Sequence, residues 1–181
     1  MTKRDYSERI QNVKIIISDV DGVLTDGSVY IHSDGTESKK FSVRDGAGAA
    51  TCRLANIPIV LISARESKTT LLRANEMQIT HVYQGELNKL KIFKRVINEF
   101  NLTSKETAYI GDGLVDIPVM GKCGFRIAPP DGHPRILELV DYITKREGGS
   151  GVLQEAVELI LHEQGKLETV LDDMRNGVFG T

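Results

Sequence analysis

Several features that mark specialised protein classes are missing or scarce in this sequence. Tryptophan is absent, and only two cysteines occur, Cys52 and Cys123. Their separation fits no metal-ligand spacing, which leaves free thiols in a reducing cytoplasm as the expected state. No apolar run is long enough to cross a bilayer. Residues 1–9 are polar and mixed in charge, unlike a signal peptide, so a cytoplasmic location is expected. The 23 Lys and Arg nearly balance 25 Asp and Glu, for a formal net charge of −2. No overall basic field therefore draws nucleic acid or an anionic membrane surface. The absence of GxxxxGK[ST] excludes a P-loop nucleotide binder. There is no internal repeat and no low-complexity tract. What remains is an ordinary globular composition, and residues 1–181 suit a single domain with a real core.

The chain is organised around Ile15-Ile16-Ile17-Ser18-Asp19-Val20-Asp21-Gly22-Val23-Leu24-Thr25. A β-branched apolar run reads as a buried parallel strand. It stops at two carboxylates, placed where open α/β sheets bind ligands, just past the strand's carboxyl end. Residues two apart in extended chain share a face, so Asp19 and Asp21 can enter one site. Two anions that close call for a cation or a shared proton. The plainer alternative is a solvated turn at the strand end.

Taken in order, strand one covers about residues 13–18. A β-hairpin insertion follows at about 26–43, with Val29 and Ile31 facing the stretch 39–43 across Ser33-Asp34-Gly35, a strong hairpin signal. An insertion beside a site more often covers it or meets another subunit than decorates the surface. A helix is expected over 49–55, with Asp45 as its cap. The alternative is that Arg44 and Asp45 reach a ligand. The second buried strand, 57–62, ends at Ser63. There a hydroxyl and nearby backbone N–H groups can hold a phosphate, or simply cap the helix expected over 66–76. A short strand at 81–84 precedes a helix opened by Gly85-Glu86-Leu87-Asn88-Lys89, with Leu90, Phe93, Val96, Ile97 and Phe100 on one face. Lys89 lies at the electrostatically unfavourable end of that helix, a hint that gains weight beside an anion. The strand 108–110 ends in Gly111-Asp112-Gly113-Leu114-Val115-Asp116, and one helical turn places Asp112 and Asp116 on the same side. Asp116 has the alternative role of capping a short helix before Pro118. A strand at 125–128, a short helix near 135–139, an edge strand at 142–144 and a helix over 152–162 complete the alternation. The tail, about 165–181, is expected to be mobile unless it docks.

These strand ends converge in a doubly wound, mostly parallel sheet flanked by helices. Carboxylates at Asp19, Asp21, Asp112 and Asp116 suit Mg²⁺, a hard cation that prefers oxygen ligands. Ser63 and Lys89 then take phosphate oxygens. Asp19 is the candidate nucleophile, forming an aspartyl-phosphate, and Asp21 the candidate general acid and base. Arg65, Arg73 eight residues on and so on roughly the same helix side two turns away, and Lys68 between them form a candidate surface for a carboxylate on the leaving group. Their alternative is an ordinary solvated helix face.

Asp19-Val20-Asp21-Gly22-Val23-Leu24-Thr25, Ser63, Lys89 and Gly111-Asp112-x-x-x-Asp116 resemble, in order, the four motifs of the haloacid dehalogenase superfamily of phosphatases. The resemblance implies a Rossmann-like sheet and Mg²⁺. It also implies metal ligation by Asp19, the Asp21 backbone carbonyl and Asp112, with Asp116 in support. The stretches Phe41-Ser42-Val43-Arg44-Asp45-Gly46, Tyr83-Gln84-Gly85 with Asn88-Lys89, and Gly165-Lys166-Leu167 are similar to the small capless branch that includes the 3-deoxy-D-manno-octulosonate 8-phosphate (KDO 8-phosphate) phosphatases. That branch implies a phosphorylated sugar acid as substrate in lipopolysaccharide precursor synthesis. It also implies homotetramers whose hairpins and neighbouring subunits complete each site. Arg at position 65 resembles the octulosonate enzymes, whereas nonulosonate 9-phosphate phosphatases typically carry Glu. Gly113 departs from the usual second Asp, and Ser63-Ala64-Arg65 from a more usual Thr-Gly-Arg. Both leave efficiency open. The remaining alternatives are a nine-carbon or broad sugar phosphatase and, from another class, a non-catalytic oligomerisation module. A response-regulator receiver shares the acidic cluster but has no counterpart of Asp21.

Overall fold

A computed structural model describes residues 6–177. Six strands form one parallel sheet: β1 (Ile15–Ser18), β4 (Ile59–Ile62), β5 (His81–Tyr83), β6 (Thr107–Ile110), β7 (Phe125–Ala128) and β8 (Tyr142–Ile143), in the order β5-β4-β1-β6-β7-β8. The α/β class and the parallel sheet are as the sequence predicts. Each residue of β1, β4 and β6 is buried, because helices cover both faces. Alternate residues feed two cores. Ile16 packs with Ala49 and Cys52 of α2 (Val43–Leu54) and with Val157 and Ile160 of α7 (Val152–Glu163). Ile15 and Ile17 pack with Phe93 and Val96 of α4 (Lys89–Glu99) and with Val119 and Met120 of α5 (Ile117–Met120). The remaining helices are α1 (Ser7–Gln11), α3 (Lys68–Glu76), α6 (Pro134–Leu137) and α8 (Leu167–Arg175).

Helix α2 begins six residues before its expected start, because Ser42 caps it by accepting from the Arg44 N–H. Asp45 is not the cap of its own helix. Its carboxylate accepts from the Leu153 and Gln154 N–H groups, at 3.0 and 3.3 Å, and so caps α7. The two helices can approach this closely because residue 48 is glycine: a Cβ there would lie 2.7 Å from Gln154 Cα.

The hairpin is shorter than expected. β2 (Tyr30–Ile31) pairs with β3 (Glu37–Ser38), not with 39–43, around Gly35 at φ +82°. The chain then returns to the main body, where Phe41 forms an antiparallel bridge with Thr25. Within the expected mobile tail, α8 docks on α7, burying Val170 and packing Leu167 on the core. Residues 178–181 of that tail, and 1–5 of the polar lead-in, lie outside the described residues.

Gly48→Ala forces α2 and α7 apart. We expect a loss of about 1–3 kcal/mol and a melting temperature several degrees lower, measured by thermal unfolding.

Candidate active site

The chain passes from β1 to β4 and β5 on one side, then returns to β6, β7 and β8 on the other. Strand order therefore reverses between β1 and β6, and a crevice opens at their carboxyl ends. Asp19 follows the last residue of β1, Asp112 lies two beyond β6, and Ser63 follows β4. A cavity of about 220 Å³ lies there, lined by Asp19, Asp21, Ser63, Arg65, Lys89 and Asp112 among others. Two larger hollows, about 520 and 580 Å³, open on other faces. Among the described residues, the only group of three or more metal-ligating side chains is Asp19, Asp112 and Asp116, with oxygens within 4.8 Å of one another.

Lys89 explains its own awkward position. Asn88 caps α4, and the Lys89 side chain, 1% exposed, turns away from the helix end into the crevice. Its Nζ lies 2.5 Å from Asp19 Oδ2 and 2.7 Å from Asp116 Oδ1. Burial works to lower the basicity of this ammonium, but Asp19 and Asp116 more than offset it and hold its pKa above the ordinary value. Asp116 is fully enclosed, with both oxygens engaged. Oδ1 also accepts from the Tyr109 hydroxyl at 2.6 Å, and Oδ2 accepts from the Asp112 and Gly113 N–H groups at 3.2 and 3.0 Å. It thus fixes the loop that carries Asp112, which suits a supporting role more than a free ligand.

Asp19 accepts from the Val20 N–H at 2.6 Å as well as from Lys89. Burial, then the neighbouring Asp116, push its carboxyl up to about 8, against the opposing pull of Lys89. Burial and Asp116 likewise push Asp112 up to about 6. Burial first, and then a negative charge that exceeds the single ammonium, push these carboxyls toward protonation, so the donor set fits a hard divalent cation. Glycine is required at position 22: φ is +85°, and a Cβ would lie 2.2 Å from Asp112 Oδ2. Gly113 is different, since the nearest atom to a Cβ there is 3.8 Å away. A Cβ is accommodated there, and the backbone N–H that Asp116 uses is present with glycine or aspartate.

Ser63 does not cap α3; Ser67 does, accepting from the Thr70 N–H. The Ser63 hydroxyl instead donates to the Arg65 carbonyl and accepts from its N–H, at 3.0 and 3.1 Å, at the cavity wall. Arg65 also lines the cavity, and its guanidinium reaches Glu37 Oε2 at 3.1 Å. Glu37 further accepts from the Ser67 hydroxyl.

Four candidate substrate contacts lie elsewhere within this chain. Arg44 is exposed and directed to the Ser150 carbonyl. Asp45 is buried against α7. Lys68 is exposed and outside the cavity lining. Arg73 donates to the Ser42 carbonyl at 2.8 Å and pairs with Glu76. Its expected alignment with Arg65 fails because α3 begins only at Lys68, so the helical period does not reach residue 65. Sequence reasoning missed Lys39, whose fully enclosed side chain donates to Asp21 Oδ1 at 2.6 Å. It also missed Glu37 and Tyr109. The one available signal was alternation in Glu37-Ser38-Lys39, which sends both charges to one face of a strand.

The sequence profile of haloacid dehalogenase-like hydrolases matches residues 61–155. The chain is 39% identical to the 3-deoxy-D-manno-octulosonate 8-phosphate phosphatase KdsC of Escherichia coli strain K12, over 91% of this chain and 87% of that protein. It belongs to the haloacid dehalogenase-like hydrolases. Among solved structures of this family, the octulosonate 8-phosphate phosphatase of Yersinia pestis superposes with a TM-score of 0.88 at 40% identity, covering 91% of this chain and 89% of that one. The Moraxella catarrhalis enzyme, in complex with magnesium, phosphate and KDO, superposes with a TM-score of 0.91 at 33% identity, covering 94% and 98%.

The raised carboxyls set a pH dependence for this hydrolase. A folded carboxyl pushed above its unfolded value binds more protons than the unfolded chain, so stability falls as pH rises from about 4 toward 8. A cation replaces those protons and stabilises most at the upper end. Mg²⁺ at a hundredfold excess over its Kd adds about 2.7 kcal/mol, or about 5–10 °C for a chain of this size. Thermal melts of chelator-treated protein with and without Mg²⁺ should show that increment at pH 8 and a much smaller one at pH 5.5.

Proposed function

We propose that the protein is a Mg²⁺-dependent phosphatase of one domain that hydrolyses KDO 8-phosphate to KDO and phosphate. The observation that carries the reading is the convergence of Asp19, Lys89, Asp112 and Asp116 at the switch point of the sheet. Similarity across 91% of the chain to octulosonate 8-phosphate phosphatases supports the substrate.

In this reading an Asp19 carboxylate oxygen attacks phosphorus, and the bond from phosphorus to the sugar oxygen breaks. Asp21 gives its proton to that leaving oxygen. Asp21 then takes a proton from water, whose oxygen attacks phosphorus of the aspartyl-phosphate, releasing phosphate and restoring Asp19. Ser63 and Lys89 hold phosphate oxygens, and Lys89 also aims Asp19 and opposes its protonation. Asp19, Asp112 and the Asp21 backbone carbonyl would hold Mg²⁺, with Asp116 in support; bound there, the ion offsets repulsion between anionic nucleophile and anionic ester. Arg65, 51% exposed at the cavity edge, is the residue placed to meet the sugar carboxylate, sharing or exchanging its partner Glu37.

A homotetramer in the cytoplasm, supplying sugar acid for lipopolysaccharide, completes the proposal. The hairpin exposes Tyr30 and Ile31 at 58% and 78%, apolar surface suited to other copies of the chain.

Asp19→Asn should retain the fold and lose at least about a thousandfold in kcat; normal turnover would rule out this nucleophile. Arg65→Gln should raise KM for KDO 8-phosphate by about tenfold while leaving an aryl phosphate unaffected. Equal losses on both substrates would remove Arg65 as the selector. A preference for a nonulosonate 9-phosphate over KDO 8-phosphate would keep the mechanism and overturn the substrate.

A further inference from the structure

The hairpin carries a cation into the site that neither the metal group nor the cavity lining accounts for. Glu37 and Lys39, two apart, both turn toward the main body. Glu37 holds Arg65 and Ser67, while Lys39 reaches Asp21 Oδ1 at 2.6 Å and Thr70 Oγ1 at 3.5 Å. The Lys39 side chain is 0% exposed, whereas the Asp21 side chain is 21% exposed. An enclosed ammonium is costly unless paired; among the described residues the carboxylate within ion-pair distance is Asp21, with Glu37 close enough to feel the charge. Lys39 is absent from the residues lining the cavity, and its ammonium is bonded to Asp21 and Thr70 instead. Asp21 itself precedes Gly22 in left-handed backbone and stands half-free at the cavity edge, with no other side chain bonded to its carboxylate among the described residues.

We infer that Lys39 is a positioning residue for Asp21: the hairpin cation fixes the carboxyl that exchanges protons with the leaving oxygen and with water. This rests on the phosphatase reading above. The hairpin is pinned for the task at two points, by the Thr25–Phe41 bridge at its base and by Glu37 against the start of α3. Lys39 acts through Asp21.

The test is a double-mutant cycle on KDO 8-phosphate with Mg²⁺, using Lys39→Met, Asp21→Asn and the pair, each checked by thermal melting. Lys39→Met keeps the apolar stem and removes the charge. It should lower kcat by about tenfold or more with KM within about twofold of the parent. Because both changes remove one function, the double variant should lie within about threefold of Asp21→Asn alone. Lys39→Arg, which keeps a cation at the carboxylate, should recover part of kcat. Losses that multiply in the double variant, or an unchanged kcat in Lys39→Met, would overturn the positioning role while leaving the phosphatase intact. A parent enzyme that does not turn over KDO 8-phosphate would overturn the proposed substrate, and with it this role in that reaction.

Discussion

The bond that Lys89 makes with both Asp19 and Asp116 is the constraint on which the rest of the site depends. One ammonium cannot neutralise two enclosed carboxylates, and Asp112 adds a third nearby. The protein settles the surplus unequally. Asp116 receives the Tyr109 hydroxyl and two backbone N–H groups, and becomes a fixed part of the interior. Asp19 and Asp112 receive less, and burial drives both toward protonation. Removing one partner from such a group leaves an uncompensated buried charge, which is why buried ion pairs tie geometry so tightly. The electrostatic imbalance left at Asp19 and Asp112 is the property that a divalent cation relieves.

That imbalance is held in place by backbone features with little chemistry of their own. The reversal of strand order between β1 and β6 brings the two acidic loops together. Gly22 permits Asp112 to lie almost against the turn after β1, where any Cβ would displace it. On the opposite layer, Asp45 and Gly48 lock α2 to α7, so the segment after the hairpin is fixed to the core rather than to the site. Asp45, which looks functional by charge, therefore has structural partners within this chain.

The sheet and the acidic cluster were legible because they rest on local rules. Apolar β-branched runs mark β1 and β4, each followed directly by the polar residue it delivers, and the shorter apolar end of β6 delivers Asp112 one glycine later. Lys89 was legible as an anomaly, a cation at the wrong helix end. What escaped reading was tertiary. Asp45 looks like the cap of the helix beside it, and nothing local reveals that it caps a helix over a hundred residues later. Arg73 was assigned by helical spacing from a residue that the helix does not include. Lys39 sits in a hairpin expected to cover the site or meet another subunit, and only the fold-back of that hairpin shows its stem enclosed. A length of helix in the tail was likewise hidden, because its stability comes from burying Val170 and packing Leu167 on the core rather than from its own composition.

The hairpin shares no register with the six-stranded sheet and joins the body through one backbone bridge and a few side chains. In evolutionary terms it is an exchangeable cartridge. Lengthening its tip or recoding its two charges alters what stands beside Asp21 and Arg65 while every sheet strand keeps its neighbours. A lineage built on this scaffold can therefore change what borders the site by editing the hairpin, with the acidic core inherited unchanged.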